Sequence, residues 1–269
     1  MQYFSVPVLG RLPKIALGCD RFGDEVDEKT ALSEIECYLE NGGFVLDSAH
    51  AYGQKKDGEP SSSECLIGRF LKSVDRDKVF VSTKGGLSRE KVSRLDYQSL
   101  KSDIEMSVES LQTVPDLWFF HRDNPSLSVE ALMDTVFEFR KKGYLKHLGA
   151  SNWSTSRIEE ANRYAESKVE EGFVAAENQF SLAYTNREIW GESDMEYVGS
   201  PRSPKAWFQE NKFPCFCYSS QGRGILQKIN RGATEFGKAS RFYSKENIER
   251  AERLRRVATE TGLRENDII

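Results

Sequence analysis

Four side chains able to exchange protons stand at comparable places in this sequence: Asp47, Tyr52, Lys84 and His121. Asp47 closes the apolar run Phe44-Val45-Leu46, Lys84 closes Val79-Phe80-Val81-Ser82-Thr83, and His121 closes Leu117-Trp118-Phe119-Phe120. Tyr52 follows Asp47 in the next loop, just before Gly53. A free tyrosine ionises near pH ~10, too high for easy proton exchange at neutral pH. A neighbouring ammonium favours the phenolate, and a carboxylate beside that ammonium keeps it charged. An imidazole can hydrogen-bond and orient a reacting oxygen. Taken singly, each residue has a plainer explanation, since strand-end Lys–Asp pairs and lone core histidines are common. Together they suit proton transfer to an oxygen. Other chemistries lack their residues: His50, His121 and His147 show no metal-ligand spacing, and no G-x-S-x-G elbow occurs.

Such residues converge only if the strands that end on them are parallel neighbours, because parallel α/β folds gather their strand C-termini on the ligand-binding face. The pattern along the chain predicts this. Strands are expected at Lys14–Gly18, Phe44–Leu46, Val79–Thr83, Leu117–Phe120, Leu145–Ala150, Phe173–Ala176 and Pro214–Tyr218. Amphipathic helices separate them. Ser61 and Glu64 have capping-box spacing ahead of Leu66, Ile67, Phe70 and Leu71, and Asp96 precedes a stripe of Tyr97, Leu100, Ile104, Val108 and Leu111. Further helices span Ser128–Lys142 with Gly143 as stop, and run from near Ser244 through Ile248, Ala251, Leu254 and Val257 to Gly262. Regularity fails over Ser181–Asn211, whose length and aromatic residues fit a lid over the substrate, with a short helix near Pro204–Gln209. Seven β/α units with apolar strands leave an open doubly wound sheet or a TIM-type barrel. Gly18 to Gly23 carries no G-x-G-x-x-G, so the barrel is expected.

The bulk numbers agree. A chain of 269 residues, 38% hydrophobic and 30% charged, has the size of a single barrel domain over residues 1–269. Its net charge of −4 gives no reason to expect nucleic acid or membrane as a partner. Arg250, Arg253, Arg255 and Arg256 alternate with Glu249 and Glu252, as on a solvated helix face. The cysteines are Cys19, Cys37, Cys65, Cys215 and Cys217, an odd number without C-x-x-C, expected as free thiols of a cytoplasmic protein. Cys215 and Cys217 fall on one face of a strand and are expected to be buried.

From Pro13 onward the chain resembles the aldo-keto reductase family. The resemblance rests on Leu46-Asp47-Ser48-Ala49-His50-Ala51-Tyr52-Gly53, Ser82-Thr83-Lys84, Phe120-His121-Arg122-Asp123-Asn124-Pro125, Gly149-Ala150-Ser151-Asn152-Trp153, Glu177-Asn178-Gln179 and Tyr218-Ser219-Ser220-Gln221-Gly222-Arg223-Gly224. It implies a (β/α)8 barrel, NADPH (or NADH) as coenzyme and a small carbonyl compound as substrate. It also implies roles. Tyr52 would be the general acid, Lys84 would lower its pKa, Asp47 would hold Lys84, and His121 would position the carbonyl. Ser151, Asn152 and Gln179 would bind the carboxamide, Tyr218 would stack on the nicotinamide, and Ser219, Gln221, Gly222 and Arg223 would line the pyrophosphate. Gly18, Asp20 and Asp47 would border the coenzyme. Relatives continue past the position of Ile269 through an eighth strand and an adenosine-phosphate loop, so the barrel is expected to be incomplete at its C-terminus. Asp267-Ile268-Ile269 sits where relatives begin a helix. A catalytically silent, reductase-like binding or regulatory protein is the alternative that this departure leaves open.

Overall fold

A computed structural model describes residues 1–56, 58–90, 92–184 and 205–269, which form two compact units, Met1–Ala176 and Glu177–Ile269. The first unit opens with a hairpin of β1 (Tyr3–Val6) and β2 (Gly10–Pro13), paired antiparallel with Tyr3 opposite Pro13. The sequence reading contained no such hairpin. Its Tyr3 hydroxyl donates to the Gly42 carbonyl at 2.8 Å and its ring stacks on Phe44, at the N-terminal end of the strand that follows. The hairpin also shortens the expected Lys14–Gly18 strand. Lys14 still donates to Gln2 within the hairpin, so only Leu17–Gly18 (β3) reaches the sheet.

After β3 come α1 (Glu28–Glu40), β4 (Val45–Asp47), α2 (Ser62–Leu71), β5 (Phe80–Gly85), α3 (Tyr97–Leu111), β6 (Leu117–Phe120), α4 (Val129–Lys141), β7 (His147–Ser151) and α5 (Thr155–Ser167). The strands pair parallel in register, with Gly18 opposite Asp47, Asp47 opposite Ser82, Lys84 opposite Phe119 and Phe120 opposite Ala150. One strand thus sets the height of the next, and Asp47, Lys84 and His121 emerge at one end. Side-chain caps fix where each helix starts: Asp27, Ser61, Asp96, Ser128 and Ser154 each accept a first-turn N–H. Helix α1 lays Ala31 and Ile35, and α2 lays Leu66, Ile67 and Phe70, onto Leu46 and Val81 of the sheet.

Two expectations change here. Ser61 caps α2, but Glu64 does not complete a capping box; it is buried and its Oε1 accepts the Thr83 hydroxyl at 2.5 Å. The inner face of α3 is not purely apolar either. Asp103, Ser107 and Ser110 are buried alongside Leu100, Ile104 and Leu111, whereas Tyr97 is exposed.

Strand β8 (Phe173–Gln179) runs from the first unit into the second, three residues past the expected end, and β9 (Cys215–Tyr218) follows α6 (Lys205–Glu210). The hydrogen-bonded strand order is β3 to β9 in sequence, a seven-stranded sheet of the (β/α)8-barrel class. No eighth strand is found among the described residues. Beyond β9 lie α7 (Ile225–Asn230), α8 (Lys245–Thr261, capped by Ser244 and stopped by Gly262) and the short α9 (Glu265–Ile268). In this unit Ile225, Leu226, Ala239, Phe242, Ala251 and Leu254 form the core, and Val257 of α8 is exposed. Cys215 and Cys217 are free thiols on one side of β9, as their spacing requires, but Cys217 is exposed and Cys215 only half-buried. Among the described residues, β9, the last strand in the order, has a sheet neighbour on one side alone. Most of the expected lid lies outside the described residues. No described helix is long and apolar enough to cross a membrane.

Candidate active site

Lys84 ends β5 inside the protein, with 1% of its side chain exposed. A buried ammonium is tolerable only when opposite charge and hydrogen bonds replace its water. Both are present: Nζ donates to Asp47 Oδ2 at 2.7 Å and to the Ser48 carbonyl at 2.7 Å. Asp47 Oδ1 in turn accepts the Ser82 hydroxyl at 2.6 Å, so the carboxylate cannot turn away from the lysine. The β4–β5 ladder continues beyond the strands themselves. Ser48 N–H donates to Ser82 O at 2.9 Å and His50 N–H to Lys84 O at 2.8 Å. That extension holds the loop leading to Tyr52 against the strand carrying Lys84.

Tyr52 lies in the turn that follows, with its N–H on the Ala49 carbonyl at 3.0 Å. The hydroxyl of Ser61, the cap of α2, reaches the Tyr52 carbonyl at 2.7 Å and the Ala49 carbonyl at 3.0 Å. Gly53 then takes φ +68°, and a Cβ there would fall 1.8 Å from Ser62 Oγ, so the close approach needs glycine. The Lys84 ammonium stands 5.1 Å from the centre of the Tyr52 ring. The Tyr52 and His121 rings meet edge-on, with centroids 6.0 Å apart and planes at 84°.

His121 follows β6, and its N–H donates to Gly85 O at 2.8 Å. Burial, followed by the charges of Arg122 and Lys84, pushes its imidazole well below the usual histidine range. It is therefore neutral at neutral pH. Its Nδ1 is buried and meets no hydrogen-bond partner among the described residues. The structure thus brings Asp47, Tyr52, Lys84 and His121 together on three neighbouring strand ends of one unit.

Ser151 and Asn152 stand next to this group, at the end of β7. Asn152 is buried in the left-handed region at φ +63°, and its amide donates to the Ser151 hydroxyl at 2.8 Å and to the His121 carbonyl at 3.3 Å. Gly18 is paired with Asp47, the Cys19 N–H donates to the Asp47 carbonyl at 2.8 Å, and Asp20 is exposed just beyond. The Cys19 thiol is held far above the usual range by burial and then by Asp47, which leaves it inert.

The second unit holds the remaining residues singled out in the sequence. Gln179 is buried at the end of β8 and donates to Ser181 Oγ at 3.1 Å. Tyr218 ends β9, and Ser219 follows at φ +51°. Gln221 precedes the tight turn Gly222-Arg223-Gly224, three successive residues with φ of +54°, +55° and +73°. A Cβ at Gly222 would lie 2.7 Å from that of Ala183. Arg223 Nε is buried and has no acceptor among the described residues. An unsatisfied guanidinium N–H beside glycine backbone fits the anionic group of a dinucleotide coenzyme.

Three residues near Asp47, Tyr52, Lys84 and His121 were not read from the sequence as part of the site. Asp103 is 1% exposed on α3, Glu64 is fully buried on α2, and His50 is 3% exposed in the Tyr52 loop. Burial first, moderated by Thr83, raises the Glu64 carboxyl to about 7. The readable signal was Asp103 itself, a carboxylate set into the Leu100–Ile104–Leu111 stripe. No group of three or more His, Cys, Asp or Glu able to hold a metal occurs among the described residues.

Comparison with known proteins points the same way as the geometry. A family profile described as "Aldo/keto reductase family" matches residues 14–267. An "Aldo-keto reductase" of Gibberella moniliformis is 28% identical over 185 residues, covering 65% of this chain and 53% of that protein. "Norsolorinic acid reductase B" of Dothistroma septosporum is 26% identical over 96% of this chain and 67% of its own length. "Aldo-keto reductase YhdN" of Bacillus subtilis is 27% identical over 59% of this chain and 49% of its own. The matched region thus spans about half to two thirds of these relatives.

Proposed function

The chain belongs to the aldo/keto reductase family, and from that membership we propose that it is an oxidoreductase reducing aldehyde or ketone carbonyls with NADPH, NADH being the alternative donor. The observation that carries the reading is the buried Asp47–Lys84 pair with its ammonium 5.1 Å from the Tyr52 ring. The bound coenzyme would supply hydride to the carbonyl carbon. The chain's own part is to handle the proton and the oxygen. Tyr52 gives its phenolic proton to the oxygen as negative charge develops there. The Lys84 ammonium stabilises the phenolate left behind, and Asp47 keeps that ammonium charged and aimed. His121, neutral, hydrogen-bonds the carbonyl oxygen and orients it without competing for the proton. Ser151 and Asn152, and in the second unit Gln179, Tyr218, Ser219, Gln221, Gly222 and Arg223, are the residues proposed to hold the coenzyme. Arg223 would meet a phosphate.

Loss of NADPH absorbance with a panel of aldehydes and ketones tests this. Turnover that disappears in Tyr52→Phe, with NADPH binding by fluorescence retained, is the expected result. Saturable NADPH binding by a wild type that turns over nothing would replace the reading with a silent, coenzyme-binding protein. Turnover surviving in Tyr52→Phe would remove Tyr52 as the acid.

A further inference from the structure

The polar face of α3 takes no part in the chemistry proposed above, yet it carries more than packing requires. Asp103 lies within the buried stripe of that helix, where an apolar side chain would cost nothing to desolvate. Its carboxylate instead faces three groups from two loops. Oδ2 accepts the Gly86 N–H at 2.9 Å. Oδ1 accepts from Arg94 and lies 3.3 Å from His50 Nε2, a nitrogen that also has Gln54 Nε2 at 3.0 Å. His50 precedes Tyr52 by two residues and donates its own N–H to the Lys84 carbonyl at 2.8 Å; Gly86 follows Lys84 by two. The carboxylate thus makes contact two residues away from each member of the Tyr52–Lys84 pair.

We propose that Asp103 is a positioning residue for the reduction, fixing through His50 and Gly86 the separation of the Tyr52 phenol from the Lys84 ammonium. The proposal rests on the reductase reading for its consequence but not for its test. Apolar packing would hold α3 against the sheet equally well without specifying the two loops. Directional contacts to both loops specify them, and a displacement of about 1 Å at such a site can cost on the order of 100-fold in rate.

Four titratable or charged groups surround this network: His50 from the loop after β4, Arg94 from the loop after β5, Glu64 from α2 and Lys84 from β5. The readout is therefore taken at alkaline pH, where Glu64, at about 7, is already ionised. In protein labelled with [ζ-13C]tyrosine, the Tyr52 resonance is assigned by its loss in Tyr52→Phe and titrated by NMR. Asp103→Ala is expected to move the ionisation of Tyr52 toward the ordinary value of about 10. The rate of carbonyl reduction at saturating NADPH should fall about 10- to 100-fold, with the Kd for NADPH within about twofold of wild type. Asp103→Asn keeps an acceptor for Gly86 but turns a donor toward His50 and Arg94. It should lie between the two, and it serves if Asp103→Ala does not fold. An unchanged Tyr52 titration in either folded variant overturns the proposal, even if the melting temperature drops. So does a wild-type Tyr52 that titrates like free tyrosine. A wild type that reduces no carbonyl defeats the reductase reading alone, because the phenol titration still decides the positioning.

Discussion

Lys84 shows how one residue can be readable and its setting not. Its place at the end of an apolar run announced a charge delivered to the ligand face, and it is there, bonded to Asp47 at 2.7 Å. Replacing it by methionine keeps the length and removes the ammonium. Lys84→Met should then shift the pH–rate profile as Tyr52 loses its charged neighbour, with kcat falling more than KM rises. An unchanged profile with a weaker KM would mark Lys84 as a binding residue only. Glu64 was misread because its spacing from Ser61 satisfied a local rule, whereas the fold turned it inward to Thr83. Its carboxyl, near 7 in the folded chain against an ordinary 4.5, favours the uncharged form. The stability it allows is fully present below about pH 4.5 and is lost as pH rises through about 7. Glu64→Gln escapes that loss. Urea unfolding at pH 5 and pH 8 should show the variant gaining about 2 kcal/mol relative to wild type across the interval. Parallel pH–stability curves would rule this out.

At the scale of elements, the periodicities located the strands and helices that position the site, because buried parallel strands and capped helices write strong local patterns. The hairpin of β1 and β2 left no such pattern. Two of its four β1 residues face solvent, and its role depends on Tyr3 reaching Gly42, a contact 39 residues away. Polar residues inside α3 were overlooked for the opposite reason: periodicity counts apolar positions and passes over the carboxylate between them. Helix α2 offers the sharpest test of coupling between element and site. Ser61→Ala removes its cap and the hydroxyl that reaches the Tyr52 carbonyl, costing about 1–2 kcal/mol of stability. Ser128→Ala removes the comparable cap of α4, whose bond to Ala131 involves none of the four residues proposed for proton transfer. Both variants should lose stability in denaturant titrations, but only Ser61→Ala should also lose kcat. Equal kcat in the two would show that the cap does not steady Tyr52.

At the scale of the whole molecule, each unit has its own apolar core, and the free cysteines contribute no crosslink. Phe242 is 1% exposed in the second unit, so Phe242→Ala should cost about 3–5 kcal/mol, measured by denaturant unfolding. A change below 1 kcal/mol would mean that the core cluster around it is not cooperative with the rest. Reductant should leave the melting temperature where it is.

The four groups proposed for proton transfer and the Asp103 carboxylate all belong to Met1–Ala176, whereas Gln179, Tyr218, Ser219, Gln221, Gly222 and Arg223 belong to Glu177–Ile269. Inheritance can therefore act on the two sets separately. Drift or recombination within the second stretch can alter how tightly a coenzyme is held while Asp47, Tyr52, Lys84 and His121 pass on untouched. A chimera carrying residues 177–269 from a relative should keep the parental pH–rate profile while its Kd for NADPH changes.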